Sequence, residues 1–167
     1  MRRSIDFIDY INDSVRLLII LETSSRIKPT HQITENRIML YDYYLRFPHT
    51  MLRNTLIHDE SKANFDEHYA FFHWKPDVIR YRSNLNYLIA KGLIDKCLDG
   101  SNLFFVVSPQ GIEALQKMKS RYKQRLSNLA DGAFPGIIKL SDKRIEEDIA
   151  ARTNIVSRGM RGKIDEN

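Results

Sequence analysis

The chain has 167 residues, 43% of them hydrophobic and 28% charged, with a formal net charge of +5. This suits one domain, or one domain with an appendage, built around a real core. No apolar run approaches the roughly 20 residues of a membrane helix, the opening MRRSIDF lacks the apolar stretch of a signal peptide, and the lone Cys97 excludes an internal disulfide, so a cytoplasmic protein is expected.

In chain order, the first strong element is NDSVRLLIILETS, residues 12–24. Asn12, Asp13 and Ser14 offer capping oxygens, and Val15 to Leu21 is apolar except for Arg16, which predicts a central helix. Pro29-Thr30 breaks it. A second helix is expected from Ile33 to Phe47, with Pro48 closing it. Residues 49–76 mix a short helical piece with an aromatic cluster (Phe65, Tyr69, Phe71, Phe72, Trp74) and read as irregular. From Asp77, a plausible N-cap, the apolar positions Val78, Tyr81, Leu85 and Leu88 recur at helical spacing, and Gly92 stands where a helix C′ glycine belongs. Leu93–Leu98 and Leu103–Val107 predict a hairpin turning at Asp99-Gly100. Ser108-Pro109 restarts a helix, with serine as cap and proline at its first position. Ile112, Leu115, Met118, Tyr122, Leu126 and Leu129 then form one stripe over residues 109–130, roughly 33 Å of helix. AFPGI, residues 133–137, reads as a linker. Ser141 or Asp142 caps a last short helix with Ile145, Ile149 and Ile155/Val156 near one face, followed by a tail expected to be mobile.

Helix, hairpin and helix in this order are the end of a winged helix-turn-helix. The expected fold is mainly α with a small β-hairpin wing. Its regions are an N-terminal helical part (1–75), a winged-helix part packed on it (76–131), and a linker, short helix and tail (132–167).

The charge is unevenly spread. Residues 75–130 carry ten Lys/Arg against four Asp/Glu, whereas the segments on either side are near balance. Such a surplus fits a nucleic-acid footprint or a solvated basic face. Arg82 and Asn86 share a face of the helix ending at Gly92, with Lys91 near its end, and Lys117, Arg121 and Arg125 follow at four-residue steps on the next. These six are the candidate contacts to DNA or its phosphates. The wing tip LDGSN carries no Lys or Arg, which counts against a base-reading transcription factor.

Catalytic signatures are absent. There is no GxxxxGK[ST] or GxGxxG loop, no GxSxG elbow and no CxxC pair. His58, Asp59, Asp66 and His68 form the one group that resembles a metal or nuclease set, but its spacing matches no HExxH helix face, and solvated charges are the simpler reading. No enzyme, cofactor or metal is expected. Tyr69 and Trp74 of the aromatic cluster, and Ile145 and Ile149 of the last helix, are the candidate partner-binding residues.

Three stretches carry a resemblance: IDYINDSVRLLIILET, with its Arg-x-Leu step; IMLYDYYLRF, with aromatic-Asp-Tyr at Tyr41-Asp42-Tyr43; and YRSNLNYLIAKGLIDKCLDGSNLFFVVSPQGIEAL, with Tyr-Arg-Ser, Lys-Gly-Leu-Ile, a wing and a Ser-initiated helix. Together, over about residues 5–130, they resemble the middle components of bacterial ABC-three-component systems. The resemblance implies a small non-catalytic winged-helix subunit of an anti-phage system of the Lamassu kind. Its implied partners are an SMC- or Rad50-like coiled-coil ATPase and a nuclease effector, with double-stranded DNA met through the complex. The alternative from the residues alone is a winged-helix transcriptional regulator, dimerising through the helix 109–130 and binding duplex DNA.

Overall fold

A helix that is apolar almost all round has to be surrounded by other elements. In the computed structural model, which describes the backbone of residues 2–52 and 76–164 and the side chains of 8–52 and 76–153, helix α1 (Arg2–Ile27) is that element. Every side chain from Ser14 to Leu21 is buried. The helix is longer than the expected 12–24. Nothing in RRSIDFIDYI breaks it, and it stops at Ile27, two residues before Pro29.

Helix α2 (Glu35–Arg46) starts where the Thr34 hydroxyl accepts from the Arg37 N–H. Pro48 does not end the helical path but opens a short helix, α3 (Pro48–Leu52), because a proline without an N–H fits a first turn. Helix α4 (Val78–Ala90) is capped by Asp77, whose carboxylate accepts from Arg80 N–H at 3.0 Å. Its end is a Schellman motif. Gly92 adopts φ 68°, its N–H reaches Ile89 O, and the Leu93 N–H reaches Leu88 O, both at 2.9 Å.

Strands β1 (Ile94–Asp99) and β2 (Asn102–Val107) pair antiparallel, with Ile94 opposite Val107 and Asp99 opposite Asn102. The two-residue turn is therefore Gly100-Ser101, one residue later than Asp99-Gly100. Gly100 takes φ 59° and Ser101 no positive angle, the type II′ pattern that suits strand twist. The far edge of β2 is covered by Ile33, whose carbonyl accepts from the Phe105 N–H at 2.9 Å. Ser108 then does double duty: its hydroxyl donates to Gly92 O at 2.6 Å and accepts from Gly111 N–H at 3.0 Å. This knots the end of α4 to the start of α5 (Pro109–Lys117).

Three expectations about the C-terminal half are corrected. The stripe 109–130 is not one rod: Met118 and Ser120 are extended, and a new helix, α6 (Arg121–Ile137), starts where Ser120 caps the Lys123 N–H. Leu115 and Leu126, one on each side of the break, are both buried, while Ile112 is exposed. AFPGI is not a linker but the last turns of α6, with Pro135 inside the helix. An interior proline costs about 3 kcal/mol. Burying Phe134, Ile137 and Ile138 (exposures 0%, 5% and 6%) returns about 1.5–3 kcal/mol each, so packing prevails. The final helix is not short: α7 runs Asp142–Ile164, capped by Ser141. The side chains of Ile155 and Val156 lie outside those described.

Among the described residues, then, the fold has seven helices and one hairpin. One hydrophobic cluster takes residues from Val15 to Ile149, joining the three regions the sequence suggested. Helix α1 lies at its centre, against α2, α4, α5, α6 and β2, while α7 closes over α2 and α3.

Two outcomes follow from this packing. A Cβ at Gly111 would stand 2.1 Å from the Leu93 carbonyl oxygen, a backbone atom that cannot yield. Gly111→Ala is expected to cost about 1–3 kcal/mol or more in urea unfolding. His31 Nε2 lies 3.0 Å from the Tyr41 hydroxyl and 3.2 Å from Arg37 Nη1, so it serves as an acceptor on a neutral ring. Burial first, then Arg37 and Lys28, hold this imidazole below its ordinary 6.5. A base with a depressed folded-state pKa adds stability that is whole above its unfolded value and lost as pH falls through the folded one. The melting temperature is expected to fall on acidification below about pH 6.5, and His31→Gln to flatten part of that fall.

Candidate functional site

The polar groups that the fold draws together most tightly are inside it. Arg16 interrupts the apolar run of α1, and a guanidinium there must find a carboxylate. It finds Asp42 of α2, which is 0% exposed: Arg16 Nε donates to Oδ1 at 2.7 Å, and Nη2 approaches Oδ2 at 3.4 Å. The same Nη2 donates to Asp13 at 2.6 Å, and Nη1 donates to the Tyr122 hydroxyl of α6 at 3.2 Å. From α4, the Tyr81 hydroxyl donates to Asp42 Oδ2 at 2.5 Å, and Arg80 pairs with the second oxygen of Asp13 at 2.5 Å. One turn along, Ser14 donates to Asn84 at 2.9 Å.

Burial alone would lower the Arg16 guanidinium, but Asp42, with Tyr122 and Asp13, carries it well above its ordinary value, so it stays charged. Burial, then Asp42, pushes Tyr81 far up; burial also raises Tyr122. Both phenols remain protonated donors. A fully buried carboxylate held by the Arg16 guanidinium and the Tyr81 hydroxyl has no free face for a substrate, and with Tyr122 bonded to Arg16 the cluster is a clamp between four helices. Sequence inspection registered Arg16 as an exception in an apolar run without naming its partner. The signal was there, since a charge at that place demands one.

A cleft of about 400 Å³ opens beside the clamp, lined among others by Arg46, Arg80, Tyr122 and Arg125. Among the described residues no group of three or more His, Cys, Asp or Glu is placed to hold a metal ion. His58, Asp59, Asp66 and His68, like Tyr69 and Trp74, lie outside the described residues.

The other candidate residues fall into three places. Ile145 and Ile149 are 0% and 1% exposed in the chain's own core, so these side chains serve to seat α7 rather than to face a partner. Around them Arg37 holds Asp142 through Nε at 2.6 Å, and Tyr44 donates to Asp148 at 2.6 Å. Arg82 and Asn86 share the exposed face of α4 with Ile79 (82% exposed), whereas Lys91, the residue that caps the helix end, stands a turn from Tyr87 on another side. However, Arg82 is paired with Glu35 at 2.9 Å, and the Lys91 ammonium lies 5.7 Å from the Tyr87 ring centroid. The neighbouring hairpin exposes Leu98 (70%) beside Asp95 and Asp99. The third place is the α5–α6 junction. Lys117 ends α5, paired with Glu113 at 2.5 Å, and Arg121 and Arg125 stand a turn apart on α6. The helix break separates Lys117 from the line that the sequence drew through all three.

The clamp is tested by its graded failure. Asp42→Ala leaves Arg16 buried without its main partner and is expected to cost about 3–5 kcal/mol in urea unfolding. Tyr81→Phe removes a single donor to a charged acceptor and should cost about 1.5–3 kcal/mol. The reverse order would contradict this geometry.

Compared with known proteins, residues 7–158 match the family model of the ABC-three component (ABC-3C) system Middle Component 2. No curated protein and no solved structure matches the chain significantly.

Proposed function

Because the chain belongs to the Middle Component 2 family of ABC-three component systems, we propose that it is a non-catalytic subunit that bridges or regulates an SMC- or Rad50-like coiled-coil ATPase and a nuclease effector in anti-phage defence. Membership of a three-component system makes it one part of a multi-subunit assembly. The match along residues 7–158 is the observation that carries the reading. Two features of the chain support it. Its densest polar cluster is saturated and internal, the property of a scaffold. Its exposed surface keeps large apolar side chains that the core does not use, above all Ile79 on α4 and Leu98 on the hairpin. Exposed apolar side chains set among polar ones are the raw material of a protein interface.

In this reading α4, the hairpin and α5 form a winged helix turned to protein binding. The regulator alternative needs α4 to read bases in a groove. The Arg82–Glu35 pair and the carboxylates of Asp95 and Asp99 oppose it, since both would be brought toward phosphates.

The test is capture from the native operon with a tag on this chain. A coiled-coil ATPase and a nuclease are expected to co-purify. Ile79→Glu and Leu98→Glu should each leave the melting temperature unchanged while cutting recovery of a partner. Recovery of the tagged chain alone at low salt, or as a dimer tightly bound to one operator sequence, would refute the proposal.

A further inference from the structure

Between Glu113 and Asp131 the chain carries no acidic residue and five basic ones: Lys117, Lys119, Arg121, Lys123 and Arg125. Only Lys117 is neutralised, by Glu113. Among the described residues the other four have no ion-pair partner, and all but the half-buried Lys123 are exposed.

This arrangement works against the fold. Arg121 and Arg125 are four residues apart on α6, the spacing at which like charges on a helix repel. They also crowd the first turns of α6, where the helix dipole disfavours cations and no acidic residue offsets them. A face that served only solubility would mix signs. The outer face of α7 does so, with Arg144 held by Glu147 at 3.2 Å and Arg152 by Asp148 at 2.9 Å. A charge pattern that breaks a local rule without internal compensation marks a functional surface.

We infer that the α5–α6 junction, through Arg121 and Arg125 on the exposed face of α6 and Lys119 just ahead of the helix, is a surface for the phosphate backbone of double-stranded DNA, bound without regard to sequence. Duplex DNA presents one negative charge per ~1.7 Å of its axis, dense enough for cations spaced a helical turn apart to be met together. Gln124 and Asn128, which share a shallow depression with Arg121 and Arg125, supply further donors to phosphate oxygens. A lipid surface fits less well, because this exposed face offers Gln124 and Asn128 where membrane binding needs large apolar side chains. The inference does not depend on the proposed assembly, since the surface belongs to this chain alone. It also moves the expected DNA contact away from α4.

The test is fluorescence anisotropy of the isolated full chain with a duplex of arbitrary sequence, titrated across salt. With about three phosphates neutralised, log K is expected to fall with log salt at a slope of about −2.5 to −3, roughly 40-fold in affinity between about 50 and 200 mM. Changing Lys119, Arg121 and Arg125 together to Gln should abolish most of that slope. The variant should melt at least as high as the parent, because mutual repulsion is removed. If it fails to fold, Lys119→Gln alone, and Arg121→Gln with Arg125→Gln, carry the test, removing about one third and about two thirds of the slope. Arg82→Gln should leave it unchanged. An unaltered slope in the Gln variants, an equal loss with Arg82→Gln, or tighter binding to polyglutamate or phosphatidylserine vesicles at the same salt would overturn the assignment.

Discussion

The fold depends on one buried ion pair. Arg16 and Asp42 come from two helices that would otherwise meet through aliphatic and aromatic side chains alone, and both are almost wholly removed from water. A buried pair of this kind does not add stability over an apolar one of the same volume, because desolvating two charges consumes most of their attraction. Its effect is on alternatives. Any arrangement of α2 on α1 that separates the two leaves the Asp42 carboxylate inside the protein without its cation, which disfavours other registers. Tyr81 and Tyr122 extend the same constraint to α4 and α6, by donating to Asp42 and accepting from Arg16. Four helices are thus indexed to a single carboxylate–guanidinium contact.

What the sequence made legible was what local chemistry decides. Asp77 as a cap, Gly92 with its left-handed backbone, the hairpin and the Ser108-Pro109 start are all written within a few residues of where they act. The errors came where distant packing overrides local preference. KMKSR contains no strong helix breaker, yet α5 ends at Lys117 and Ser120 caps a new helix. Pro135 reads as a stop, yet the helix runs through it, because Phe134 and Ile137 are anchored on either side. The candidate surfaces were half legible for the same reason. The basic surplus was countable, but which cations lack a partner was not. Glu35 lies 47 positions from Arg82 and cancels it only in three dimensions.

The clamp also bears on what the resemblance to a family means. The three stretches that carry it each supply one member of the clamp: Arg16 from the first, Asp42 from the second and Tyr81 from the third. Asp42 is fully buried, so this part of the resemblance bears on how the chain is held together. Among the described residues, the clamp leaves outside it the apolar side chains on α4 and the hairpin and the unpaired cations at the α5–α6 junction. These two faces differ in kind. On α4 the charges are already matched within the chain, which suits a surface that loses water on docking, since an unmatched charge there would carry a desolvation penalty. At the α5–α6 junction the charges are left open in water, which suits an anionic partner that stays hydrated and exchanges counterions. A subunit that joined proteins through one face and met DNA through the other would need this separation, and a rigid, clamped core is what keeps the two faces at a fixed distance.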